Sequence, residues 1–142
     1  MSDIRKHAVA PTSRLHLRSA DDELLYADAE DGTPDISKPM VANLYGPGSK
    51  QYAKAQTKQN NRMVDRLKKK GRSDQKPEEA TAEKAEFLAD CTQSLENVTY
   101  EALSGDALHK AVYADLELGF IAEQVGKHLG EWSNFLKASP TN

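Results

Sequence analysis

A mainly helical α+β domain is predicted for this chain, with a short N-terminal β hairpin or meander followed by about four helices. Three observations predict it. Short apolar clusters separated by turn residues occupy 14–48, a run free of glycine and proline spans 50–70, and apolar residues recur every three or four positions from 118 to 136.

With 142 residues the chain suits one modest core and is too short for two cores and a linker. Apolar residues make up 38% and charged residues 29%, so part of the chain is expected to stay unpacked. The expected organisation is a flexible arm over 1–13, a single domain over 14–137 and a flexible tail over 138–142. A net charge of -3 offers no global attraction for nucleic acid or an anionic membrane, so any basic function must be local. Cys91 is the one cysteine, which excludes an internal disulfide and fits a reducing compartment. The opening "MSDIRKHAVAPTSRLHLR" lacks the apolar run of an export signal, and no stretch of about 18 apolar residues occurs.

The β element is expected over 14–48. Leu15 and Leu17 alternate with Arg14, His16 and Arg18, which puts both leucines on one face of a strand. "DAEDGTPD" and "GPGS" supply turn chemistry around "PMVANLYG". A basic helix follows over 49–71, with Ser49 as its N-cap and Gly71 as a left-handed end. Its expected buried stripe is thin: Tyr52, Ala55, Met63 and Leu67.

A helical part is expected over 77–137. Pro77 with Glu78 and Glu79 suits a first turn, and Ala85, Leu88, Cys91, Thr92 and Leu95 recur at helical spacing. Ser104 or Asp106 can cap a short helix carrying Leu108, Ala111 and Val112, and Asp115 can cap another.

Catalytic chemistry finds little support. The four histidines are scattered, no HExxH or CxxC spacing occurs, and Cys91 falls on the inner side of the second helix, where a free cysteine is usually a small hydrophobe. "YGPGSK" lacks the spacing of a phosphate loop, and its proline removes an amide donor. No convergent acid, base and nucleophile can be nominated, and no cofactor or metal is implied.

Two features point to binding instead. Lys50, Lys54, Lys58, Arg62, Arg66 and Lys70 follow at intervals of four and form a drifting basic ridge. The ridge either solvates the helix, meets Glu78, Glu79, Glu83 and Glu86 across a helical hairpin, or contacts an acidic partner or a phosphate backbone. The second feature is a broad apolar face at Phe120, Ile121, Val125, Leu129, Trp132 and Phe135, wider than this small domain is expected to cover and suited to a foreign helix.

The phrases "VANLYGPGSKQYAKAQTKQNNRM", "AEFLADCTQSLENVTYE" and "AVYADLELGFIAEQVGKHLGEWSNFL" resemble the tail assembly chaperones of long-tailed bacteriophages, over roughly residues 35–137. The resemblance implies a small, non-enzymatic protein of the host cytoplasm that binds the tape measure protein and keeps it soluble. It also implies help in recruiting tail tube protein during tail morphogenesis. Homo-oligomerisation remains open. The family has no active site to transfer, and the apolar face just named is the contact region expected here. A structural tail or head component retained in the virion, and a nucleic-acid-binding protein using 49–72, are the alternatives.

Overall fold

The computed structural model describes residues 3–71 and 75–137 and shows a mixed α+β fold. Strands β1 (Thr12–His16), β4 (Val41–Tyr45) and β5 (Thr92–Glu96) form an antiparallel sheet in the order β1-β4-β5, and β2 (Tyr26–Asp28) pairs with β3 (Pro34–Pro39) in a separate hairpin. The helices are α1 (Lys50–Lys70), α2 (Pro77–Asp90), α3 (Gly105–Ala114) and α4 (Gly119–Leu129), with short 3-10 turns at Ile4–His7, Leu116–Leu118 and Trp132–Phe135.

The sheet has one greasy and one polar face. Register places Leu15 opposite Ala42 and Ala42 opposite Leu95, and these residues with Leu17 and Leu44 meet the inner sides of α2, α3 and α4. Arg14, Asn43 and Ser94 lie across from one another on the other face. There Asn43 donates to Ser94 Oγ at 2.9 Å and to Glu96 Oε2 at 2.7 Å, and Arg14 reaches the same carboxylate at 2.5 Å. Alternation of strand side chains separates these two environments.

The local signals act as the residues suggest. Ser49 Oγ accepts from the Tyr52 amide at 3.1 Å, and Gly71 ends α1 at φ 71°, a conformation that favours glycine. Pro77 begins α2, and Asp115 accepts from the Glu117 amide. The Ser104 side chain makes no capping bond to α3 although it holds the cap position. Ser73 and Asp74, which by residue type can cap the start of the second helix, lie outside the described residues.

Three expectations require correction. The strands are not confined to the N-terminal part, because α2 stops at Asp90 and Thr92–Glu96 crosses back as β5 beside β4. Leu95 therefore enters the core from a strand; its helical spacing from Leu88 is coincidental. The apolar periodicity over 118–136 is not one helix either: α4 stops at Leu129, and a 3-10 turn carries Trp132 and Phe135 in a new direction. Finally, the arm over 1–13 is docked from Ala8 onward. The Ala10 amide donates to Phe135 O at 2.7 Å, Gly46 N donates to Pro11 O at 2.8 Å, and β1 already begins at Thr12. The expected tail at 138–142 lies outside the described residues.

Candidate functional site

The expected docking face on the last helices is mostly interior. Ile121, Val125, Leu129 and Phe135 are buried, Phe120 is half-buried, and Trp132 alone of the six is open, at 56% exposure. The reason is architectural. α4 lies against α3 and the sheet, so the stripe that looked too wide for this domain is covered by its own strands. Phe135 closes the far end: its ring sits over Gly46 and packs edge-on to His128 with centroids 5.4 Å apart.

Around that closure, Ser13 Oγ donates to Asn134 O at 2.8 Å. Its single proton is thereby used, so His128 Nε2, 2.9 Å from the same oxygen, carries the proton of that contact. His128 thus serves as a donor to Ser13 and offers no base for activating it. Cys91 is fully buried, and burial, aided by the Asp90 charge, pushes its thiol up to about 12, which leaves no reactive thiolate near neutral pH. No group of three or more His, Cys, Asp or Glu residues suited to a metal ion occurs among the described residues, and no described helix is long and apolar enough to cross a membrane.

The basic ridge divides into two kinds of cation. A spacing of four turns about 40° beyond a full circle at each step, so a row from Lys50 to Lys70 sweeps about 200° around α1. Its middle members therefore face α2. Lys58 lies 3.4 Å from both Glu86 and Asp90, Arg62 pairs with Glu86, and Arg66 donates to both oxygens of Glu83 at 2.7 and 3.0 Å. The anticipated hairpin pairing thus holds for Glu83 and Glu86, and not for Glu78 or Glu79 among the described contacts. Lys50, Lys54 and Lys70 form no ion pair among the described residues and are exposed, as are Lys68 and Lys69.

The same rotation moves the expected buried stripe off its target. Ala55 is the one buried residue of α1, and Tyr52 is held edge-on to Phe87 at 5.7 Å. Met63, Val64 and Leu67 are left 42%, 42% and 45% exposed. Helical spacing alone had put Met63 and Leu67 inside. The available signal was the poverty of this helix in apolar residues: a stripe interrupted by Gln56 and Gln59 is too thin to fix which side of the helix turns inward, and the ion pairs to Glu83 and Glu86 turn the Arg62 and Arg66 side toward α2 instead.

The latch between α1 and α2 has a pH signature. Burial pushes the Glu86 carboxyl up, but the Arg62 hydrogen bond and the Arg62 and Lys58 charges outweigh it and hold it below 4.5. The latch is therefore intact above that value and is lost as pH falls through the lower folded-state value. Burial likewise lowers His109, against the opposing charge of Asp106, and lowers His128, so the folded chain resists protons that the unfolded chain accepts below 6.5. Stability is expected to decline first below pH 6.5 and again below pH 4.5. In Glu86→Gln the second decline shrinks by about 0.5–1 kcal/mol, a value limited by the partial exposure of the pair. Urea titrations across pH would refute this if wild type and variant fell in parallel at every pH.

The fold and surface thus define a small α+β protein with a sealed core, a charge-latched helical hairpin and an exposed apolar strip bordered by lysines. No protein-family model, curated protein or solved structure matches the chain.

Proposed function

We propose that this protein is a non-enzymatic bacteriophage tail assembly chaperone that binds the tape measure protein in the host cytoplasm and helps recruit tail tube subunits. The sequence phrases quoted above support the family. The observation that carries the binding role is the exposed strip of Met63, Val64 and Leu67 on α1, beside Lys68, Lys69 and Lys70.

The client contact falls on α1 instead of α4. A long helix that buries one alanine and leaves three large apolar side chains open gains by covering them, at about 25 cal/mol for each Å² removed from water. The matching client is a helix with an apolar stripe beside acidic residues, the stripe entering between α1 and α2 and the acids meeting the free lysines. Charge then speeds the encounter and makes it salt-sensitive. Trp132 remains as a secondary contact, since it is a large open aromatic side chain.

Co-expression with the tape measure protein of the same genome tests the reading. Soluble client recovered with this chain is the expected result, and a client equally insoluble with and without it removes the proposal. Within a recovered complex, Met63→Asp with Leu67→Asp is expected to weaken binding at least tenfold while leaving the circular dichroism unchanged and costing no more than about 1 kcal/mol of stability, because both side chains are more than two-fifths exposed. Stoichiometric recovery of the chain in purified virions would favour a retained structural component instead.

A further inference from the structure

β1 is an edge strand, and its outer side is open between two closed ends. The Leu17 amide donates to Met40 O at 2.9 Å and Gly46 N donates to Pro11 O, so the main-chain groups of the odd-numbered residues point to β4. Those of Thr12, Arg14 and His16 then point away from the sheet. On this outer side the Ala10 amide is taken by Phe135 O at 2.7 Å. At the other end Arg18 is clamped by one amide: its N–H donates to Gln124 Oε1 at 2.8 Å, and its carbonyl accepts from Gln124 Nε2 at 2.6 Å. Gln124 thereby occupies both hydrogen-bonding positions that a neighbouring strand would fill at Arg18. Between these closures the outward main-chain groups of Thr12, Arg14 and His16 have no partner among the described residues.

A groove of about 600 Å³ runs beside this edge, lined by Leu15, Gln124, Lys127, His128 and the one carboxylate Glu131 among others. It gives an added strand room for one row of side chains against α4. The other row would lie beside Arg14 on the polar face of the sheet, next to His16, whose Nε2 donates to Leu25 O at 2.8 Å and whose ring packs edge-on to Tyr26, with exposed Arg18, one of whose guanidinium nitrogens donates to Asp22 O, following. Arg14 has a side chain 58% exposed and gives one donor to Glu96, which leaves further guanidinium N–H groups facing water. A second copy is a poor occupant, since pairing two such edges sets one cationic row against another.

We propose that the β1 edge binds an extended peptide by strand addition, and that the peptide alternates acidic residues, facing Arg14, His16 and Arg18, with small apolar residues facing the groove. The open run from Thr12 to His16 suits about five residues at roughly 3.3 Å each, and the end of a longer peptide lies beyond the Gln124 clamp. Main-chain hydrogen bonds supply affinity and the alternation supplies selectivity. This site is separate from the α1 strip and takes an extended segment where that strip takes a helix.

The probe is a fluorescein-labelled seven-residue peptide of alternating Glu and Val, compared with its Lys and Val counterpart. Expected are saturable polarisation with the acidic peptide, at least tenfold weaker binding of the basic one, and slowed hydrogen exchange at the Thr12, Arg14 and His16 amides. Arg14→Ala is expected to weaken binding severalfold, and Arg14→Pro, which also removes an outward N–H while sparing the β4 ladder, to weaken it at least a further tenfold. Should Arg14→Pro fail to fold, amide protection in the wild-type chain decides alone. No binding below millimolar peptide, or protection mapping to α1 and the Lys68–Lys70 run, overturns the proposal. So does protection of β1 that rises with protein concentration without peptide, which would mark a second copy as the occupant. Met63→Asp with Leu67→Asp leaves peptide binding unchanged, so failure here and failure of client binding at α1 are read separately.

Discussion

Gly46→Ala is expected to be strongly destabilising, because a Cβ at that position would stand 2.3 Å from Phe135 Cδ2 and Cε2. No backbone peculiarity is involved, since Gly46 does not adopt a positive φ. The restriction is space. Phe135 is 1% exposed, its carbonyl is held by the Ala10 amide and its ring is braced by His128, so it cannot retreat without opening the closure between the two ends of the chain. Overpacking of this kind costs about 1–3 kcal/mol and sometimes more. Gly48→Ala is the matched control: its Cβ meets one methyl of Val9 at 3.0 Å and Trp132 Cζ3 only at 3.8 Å, against three Phe135 ring atoms within 2.7 Å at Gly46, and a smaller loss is expected. The mechanism is checked by Phe135→Leu, which should cost less in the Gly46→Ala background than in wild type, with a coupling of about 0.5–3 kcal/mol in urea denaturation. Strict additivity of the two substitutions would rule out the ring as the cause.

Leu129→Ala and Trp132→Ala are expected to behave oppositely, although the sequence places both on the same apolar stripe. Leu129 is 2% exposed at the end of α4, and its truncation should cost about 2–5 kcal/mol through lost burial and a residual cavity. Trp132, open at 56%, should change stability by no more than about 0.5 kcal/mol. Paired denaturation curves settle the matter. A stable Leu129→Ala would mean that α4 is not held in the core, and the docking face first suggested by the sequence would return.

Both predictions depend on where chain segments meet, and the same dependence marks the boundary of what could be read in advance. Turn and cap residues were legible because their effects are local: Ser49, Gly71, Pro77 and Asp115 act on main-chain groups within a few residues. The alternation of Leu15 and Leu17 marked a strand for the same reason, and the acidic run after α1 disclosed the ion pairs to Glu83 and Glu86.

What escaped was burial and strand pairing set by distant partners. Thr92–Glu96 has helical spacing with the residues before it, yet it becomes a strand because β4 offers an unpaired edge. The apolar residues of α4 look unprovided for until β1, β4 and α3 are brought over them, while those of α1 look covered until the ion pairs turn the Arg62 and Arg66 side of the helix toward α2 and leave Met63, Val64 and Leu67 partly outside. Local main-chain chemistry is encoded within a handful of neighbouring residues, and so composition and spacing suffice for the first strand, for both ends of α1 and for the start of α2, but not for β5 or the end of α4. Burial is a sum over surfaces contributed by the whole chain. Only the assembled fold could decide that Val125 is interior and Leu67 is not, and that the β1 edge is left with three residues unpaired.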